Sequence, residues 1–178
     1  FSVYRCFKLE ISLSEYTWLL AIPEFKVKLP GGNRPSQNDL LFISSNKNGL
    51  TVCTVEAKAR ENFDDKIKDW LIDCSNGKKE RLNYVLKKIA FPNEDYGDLR
   101  YQLFHRLASA VIMAEKFHAK IAVMVIQSFV ENNKENHFDD FKNFVSAYIH
   151  DNIEKEKLYC ISNIGGISLM TGWVFSKA

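Results

Sequence analysis

Three ionisable side chains near the middle of the chain have the types and spacing to hold a divalent ion and orient a water: Asp39, Glu56 and Lys58. They lie in two apolar, β-branched segments, Asp39 to Ser44 and Leu50 to Ala59, separated by Ser45-Asn46-Lys47-Asn48-Gly49. Asn-Gly is a strong short hairpin signal, since both residues tolerate the positive φ of a tight turn. Centring the turn on Asn48-Gly49 puts residues whose numbers sum to 97 opposite one another, so Asp39 faces Lys58 and Leu41 faces Glu56. Glu56 and Lys58, two apart in a strand, emerge on one face, and Asp39 shares it on the diagonal. Charged groups on core-quality strands need a partner or a job. One reading is a buried Glu–Lys–Asp ion network. The other is a divalent metal site, with Asp39 and Glu56 as hard oxygen ligands for Mg²⁺ or Mn²⁺ and Lys58 orienting a water or steadying transition-state charge.

A second constellation sits on the segment from about Asp98 to Ala119, where Leu103, Leu107, Val111, Ala114 and Phe117 recur at helical spacing. Gln102, Arg106 and Ser109 fall at i, i+4 and i+7 and form a polar stripe opposite it. Arg106 offers planar donors to a phosphate oxygen, or pairs with a carboxylate such as Asp98 or Glu56. His105 lies beside the stripe, and a lone helical histidine is more often packed than catalytic. In the loop before Asp39, Ser36 and Gln37 are placed to bond Lys58 or a water, or to cap the turn. Arg34, near Gly31-Gly32, is placed to meet a phosphate. The bases Lys66, Lys68, Lys78, Lys79, Arg81, Lys87 and Lys88 form either a phosphate-binding surface or a solvated helical face diluted by acids.

The elements that must position these groups can be read in order. A strand is expected over residues 1–12, then a short helix from Glu15 to Ala21, capped by Ser14 and stopped by Pro23. Phe25, Val27 and Leu29 alternate with lysines in a half-buried strand that ends at Pro30-Gly31-Gly32. The hairpin follows, then helices between Asp64 and Phe91 broken near Asn76-Gly77, then the long helix. Lys120 to Phe129 reads as a central strand covered on both sides. His137 to Asn152 is an amphipathic helix, and Leu158 to Ile164 and Ile167 to Phe175 close the fold around Gly165-Gly166. The expected class is α/β (α+β), a central mixed sheet flanked by helices in one domain spanning residues 1–178.

Two blocks in this frame, Pro35 to Leu40 (PSQNDL) and Glu56 to Lys58 (EAK), resemble the PD-(D/E)XK nuclease core of the restriction-endonuclease-like superfamily. Leu29 to Leu40, Gly77 to Leu82, Arg100 to Ala110 and Phe117 to Phe129 are similar to an uncharacterised prokaryotic family within it. The resemblance spans most of the chain and implies metal-dependent hydrolysis of DNA phosphodiesters, with Asp39 and Glu56 as metal ligands and Lys58 as the catalytic lysine. It also implies that Gln102 and Arg106, matching a polar pair common on the following helix, point at the metal site. Some members add an acid from the first helix, for which Glu15 and Glu24 are the candidates. The pattern departs from the motif where Asp39 follows Gln37-Asn38 rather than proline. The class often dimerises to cut both strands, which makes a homodimer a candidate assembly. The alternative is an inactive relative that binds nucleic acid or protein, keeping an ion network at the old site.

Composition excludes several other classes. The 178 residues carry 24 basic and 22 acidic side chains, a net charge of +2, which is incompatible with a histone-like polycation. No run reaches the roughly 18 apolar residues of a membrane span. There is no phosphate-binding loop and no dinucleotide fingerprint. Cys6, Cys53, Cys74 and Cys160 are scattered, and Cys53 and Cys160 fall in apolar strands, so buried thiols in a reducing cytoplasm are expected. The chain starts at Phe1 rather than Met, so its start carries no weight for or against a leader segment.

Overall fold

The structure is a computed structural model and describes residues 16–59, 61–129 and 137–176. The strand expected over residues 1–12 lies outside them. Among the described residues the chain runs β1 (Thr17–Val27), β2 (Ser36–Asn46), β3 (Gly49–Lys58), α1 (Ile67–Trp70), α2 (Asn76–Lys88), α3 (Tyr101–Lys116), β4 (Ile121–Ser128), α4 (His137–Ser146), β5 (Leu158–Ile164) and β6 (Ile167–Phe175). The six strands form one mixed sheet in the order β1-β2-β3-β4-β6-β5. The first three are an antiparallel meander, β4 is parallel to both β3 and β6, and β5 closes antiparallel on β6.

The sequence dictates the centre of this sheet. β4 is an unbroken Ile-Ala-Val-Met-Val-Ile run, and Ala122 to Ile126 are wholly buried, as a strand covered on both faces requires. Leu41, Ile43, Val52, Met124, Ile126 and Trp173 join the main core with the helices, whereas Phe42, Cys53, Val55, Val123, Val125 and Val174 form a smaller cluster. That division follows from the alternation of side chains along each strand. α3 lies across the middle of the sheet, and every residue from Tyr101 to Ala114 is buried, so it is a core helix on all sides. Its polar stripe is therefore enclosed rather than solvated.

Three expectations are corrected. Where a helix is expected from Glu15 to Ala21, the described part from Thr17 on is instead the start of β1, paired with β2 from Thr17↔Ser45 to Val27↔Ser36. Pro23 sits inside that strand without breaking it, because β1 is the edge strand among the described residues and only its β2 side carries a ladder there. The hairpin turn is Lys47-Asn48, since Asn46 pairs with Gly49, so facing residues sum to 95 rather than 97. Asn46 Oδ1 accepts from the Asn48 N–H at 2.9 Å, and Gly49 takes φ 121° as the first strand residue. The shift is by two, which leaves every side chain on its expected face. Finally, Cys160 is exposed on β5, while Cys53 is buried as expected.

The candidate acid and arginine site

Glu56 is the hub. It enters on β3 beside β4, with Ile126 as its ladder partner, and is 4% exposed. Its Oε1 accepts from Gln102 Nε2 at 2.6 Å and from Lys58 Nζ at 3.1 Å. Its Oε2 accepts from Arg106 Nε. Gln102 and Arg106, one turn apart on α3, thus grip the two carboxylate oxygens side by side, and all three partners are buried. Burial holds the Glu56 carboxyl above the usual range, and Arg106 and then Lys58 pull it back.

Asp39 meets this hub from β2. It is half-buried, and its Oδ2 accepts from the Ala57 N–H at 2.6 Å, which extends the β2–β3 contact past the last ladder pair, Leu40↔Val55. Its negative charge is felt at Glu56, where it opposes ionisation. Lys58 Nζ also lies 5.1 Å from the centre of the Phe63 ring, a cation–π contact that helps an ammonium tolerate burial. The expected trio of Asp39, Glu56 and Lys58 is brought together, and Gln102 and Arg106 point into it. Ser109 does not; its hydroxyl donates back to the His105 carbonyl at 2.8 Å. Of the two spare acids, Glu15 lies outside the described residues. Glu24 is exposed on β1, where Gln37 Nε2 donates to it, so it is no helical ligand.

Arg106 has a second engagement. Its NH1 donates to Ser36 Oγ at 3.1 Å, and Ser36 Oγ lies 2.9 Å from His105 Nδ1. Ser36 Oγ also donates to the His105 carbonyl oxygen at 3.3 Å, so the hydroxyl bridges Arg106 to both the ring and the backbone of His105. Burial, then the nearby Arg106, Arg81 and Lys58 charges, hold its pKa well below the ordinary value. His105 is a packed orienting group for Ser36.

Beyond Arg106 opens a cavity of about 500 Å³ lined by residues including Arg34, Ser36, Gln37, Asp64, Trp70, Arg81, Tyr101 and Arg106. The positions of Arg34, Ser36, Gln37 and Arg81 near one another follow from a backbone contact. Gly31, at φ 74°, sits so close to α2 that a Cβ there would fall 2.1 Å from the Gly77 carbonyl oxygen. Arg81 Nε then donates to the Pro30 carbonyl at 2.9 Å. The glycine pair marked in the sequence as a turn is therefore the joint between the β1–β2 loop and α2. Lys78 and Lys79 do not line the cavity. Lys78 Nζ donates to the Trp70 carbonyl at 2.7 Å, and Lys79 is exposed. Lys66 and Lys68 pair with Asp98, and Lys88 with Glu115, so much of the basic run makes local ion pairs.

Sequence reading missed Tyr101, Trp70 and Asp64 as parts of this site. The Trp70 and Tyr101 rings stack with centroids 4.0 Å apart, and the Tyr101 N–H donates to the Asp65 carbonyl. Asp64 offers its backbone N–H to Gln102 Oε1 at 3.4 Å, which links the cavity wall to the Glu56 hub. No local pattern announces these contacts, because α1 is only four residues long and is set by the isolated bridge between Lys66 and Arg100. The signal available was the polar neighbour: Tyr101 immediately precedes Gln102.

A family model described as Domain of unknown function (DUF6946) matches residues 2–178. The chain belongs to that family. No match was found among curated proteins or among solved structures. In this DUF6946 chain, then, function has to be argued from the acids, Lys58 and the arginine-lined cavity themselves.

Proposed function

We propose that the protein is a metal-dependent phosphodiesterase of the PD-(D/E)XK kind acting on nucleic acid, with DNA as the expected substrate. The observation that carries this reading is the convergence of Asp39, Glu56 and Lys58 at the end of the β2–β3 ladder, with Lys58 Nζ 3.1 Å from Glu56. Among the described residues no three His, Cys, Asp or Glu side chains gather around a common point. Two carboxylates nevertheless suit Mg²⁺ or Mn²⁺, which keep several waters and complete their shell with substrate phosphate oxygens. Asp39 and Glu56 would hold the ion, which when bound polarises the phosphate and favours hydroxide formation.

The charges of the chain's own residues explain how such a site would load. Asp39 and Glu56 balance Lys58 and Arg106, so the cluster is neutral without an ion and a dication would leave it in surplus. A phosphodiester brings the compensating negative charge, and metal and substrate reinforce one another. Lys58 orients the attacking water and steadies the charge on the phosphorane-like transition state. Gln102 holds Glu56 in place, and Arg106 offers Glu56 and the phosphate side of the site a shared planar donor.

A second reading rests on one specific observation: both oxygens of Glu56 are already bonded, to Gln102, Lys58 and Arg106. A nucleic-acid-binding relative that uses the cluster only as a buried ion network would look the same there. The deciding experiment compares wild type with Asp39→Asn in EDTA, Mg²⁺ and Mn²⁺, reading the thermal midpoint with and without an uncleavable DNA duplex, and cleavage of plain DNA and RNA. The hydrolase reading expects a metal-dependent rise and metal-dependent cleavage, both lost in Asp39→Asn, whose amide oxygen still accepts from Ala57. A wild type that neither cleaves nor responds to metal with phosphodiester present sinks it in favour of the ion network.

A further inference from the structure

The cavity beside Arg106 has features that the chemistry at Glu56 does not use. Its volume, about 500 Å³, is that of a small-ligand pocket, roughly 300–1,000 Å³. Arg34 lines it, exposed, with no hydrogen bond or ion pair holding its guanidinium among the described residues. Arg81 is anchored from behind, through Nε to the Pro30 carbonyl and more weakly through NH2 to the Leu29 carbonyl. Tyr101 is 6% exposed, and its buried hydroxyl, with the Arg81 guanidinium against its oxygen, has no acceptor for its proton among the described residues. Burial pushes that phenol up to about 12 despite the nearby Arg81, so it is a donor throughout the physiological range. A buried, unmatched O–H is costly, and a ligand accepting from it recovers that cost.

The charges choose the ligand. Two arginine forks and a phenol O–H are donors for one tetrahedral oxyanion. Asp64 and Asp65 line the same cavity and offset part of its positive charge, which suits one phosphate better than a run of them. Arg106, which holds Glu56, and Ser36, which accepts from Arg106, both line this cavity, which puts the two within one nucleotide strand's reach.

We propose that this cavity receives the phosphomonoester at the end of a nucleic-acid strand, held by Arg34, Arg81 and the Tyr101 hydroxyl while the strand continues toward Asp39 and Glu56. The assignment rests on the hydrolase reading for the identity of the strand, and the binding itself needs neither metal nor cleavage. It makes the protein a reader of strand ends, with preference for phosphorylated over hydroxyl termini.

The test is fluorescence anisotropy of short labelled single strands with the full chain in EDTA, using a 5′-phosphate, a 3′-phosphate and a strand with hydroxyls at both ends. One phosphorylated strand should bind about tenfold more tightly than the hydroxyl strand, the worth of a charge-assisted contact. Arg34→Ala should erase that increment. Tyr101→Phe should reduce it several-fold while leaving the ligand-free thermal midpoint unchanged or raised, since it removes an unmatched hydroxyl. Equal binding of all three strands overturns the proposal, as does an increment that survives Arg34→Ala. A midpoint lowered by Tyr101→Phe overturns the role of the phenol, because it would mean the hydroxyl proton already has an internal acceptor. A nucleoside monophosphate that competes as well as the strand's own end would overturn the strand assignment in favour of a free nucleotide. Failure of the hydrolase reading is separately visible: a phosphate-dependent increment in EDTA without any metal response at Asp39 leaves a strand-end binding protein.

Discussion

The Glu56 hub and the arginine cavity share Arg106 yet are built on opposite principles. At the hub both Glu56 oxygens have donors, Gln102, Lys58 and Arg106 are buried, and the charges of Asp39, Glu56, Lys58 and Arg106 sum to zero. In the cavity Arg34 has no partner among the described residues and the Tyr101 hydroxyl proton is buried without an acceptor among them. The hub is satisfied from within and the cavity is not. A satisfied network fixes geometry, because moving any member orphans another. An unsatisfied one stores affinity, because a ligand supplies bonds the protein lacks. The two halves of a binding reaction, holding a reacting group still and attracting a substrate, are thus given to neighbouring but differently wired regions.

Breaking the hub should cost most. Arg106→Leu leaves Glu56 buried with only Lys58 and Gln102 and removes the Ser36 contact, an expected loss of about 3–5 kcal/mol. Chemical denaturation would read this directly, and a loss below about 1 kcal/mol would show that the hub is more hydrated than its burial implies. Gly31→Ala attacks the cavity alone. A Cβ at φ 74° and 2.1 Å from the Gly77 carbonyl oxygen must displace the loop from α2, at about 2–3 kcal/mol. It should abolish the strand-end increment while the metal response at Asp39 persists, and joint loss of both would merge the two regions into one.

His105 gives the comparison a pH axis. Its folded pKa lies well below that of the unfolded chain, so the unfolded state binds the proton first and stability falls as pH drops below about 6.5. From pH 6.5 to 5.5 the expected loss is about 1 kcal/mol, or a midpoint drop of roughly 2–4 °C, and His105→Asn should flatten that slope. The smallest effect is Tyr101→Phe in the ligand-free protein, a gain of about 0–1 kcal/mol from removing an unmatched donor.

Much of this was legible before any coordinates. β4, β5 and β6 fell within a residue or two of their expected bounds because a long β-branched run and a Gly-Gly turn leave few alternatives. The Asp39–Glu56–Lys58 face was legible even though the turn was misplaced, since a slip of two preserves side-chain parity. Arg106 pairing with Glu56 was among the expected partners, and the i, i+4 relation to Gln102 supplied the geometry. What could not be read depends on contacts between distant segments. Thr17 to Ala21 has no helical face of its own to bury, so pairing with β2 decides its fate as a strand. The stacking of Trp70 on Tyr101 and the fit of Gly31 against Gly77 join segments with no shared periodicity.

That last joint has a kinetic consequence. Arg81 reaches the Pro30 carbonyl from 51 residues away, and the meeting of loop and helix is backbone against backbone with no large side chain wedged between. The seam itself has little apolar area, whereas the rest of α2 is held by Leu82, Val85 and Ile89 in the main core, so local opening should begin at the Asn76-Gly77 end of the helix. Amide protons in the first turns of α2 would then exchange with solvent through this local opening, ahead of those near Val85. An anion bridging Arg34 and Arg81 would staple the two sides together. Slowed hydrogen exchange in α2, remote in sequence from Asp39 and Glu56, would be the clearest footprint of a ligand in the cavity.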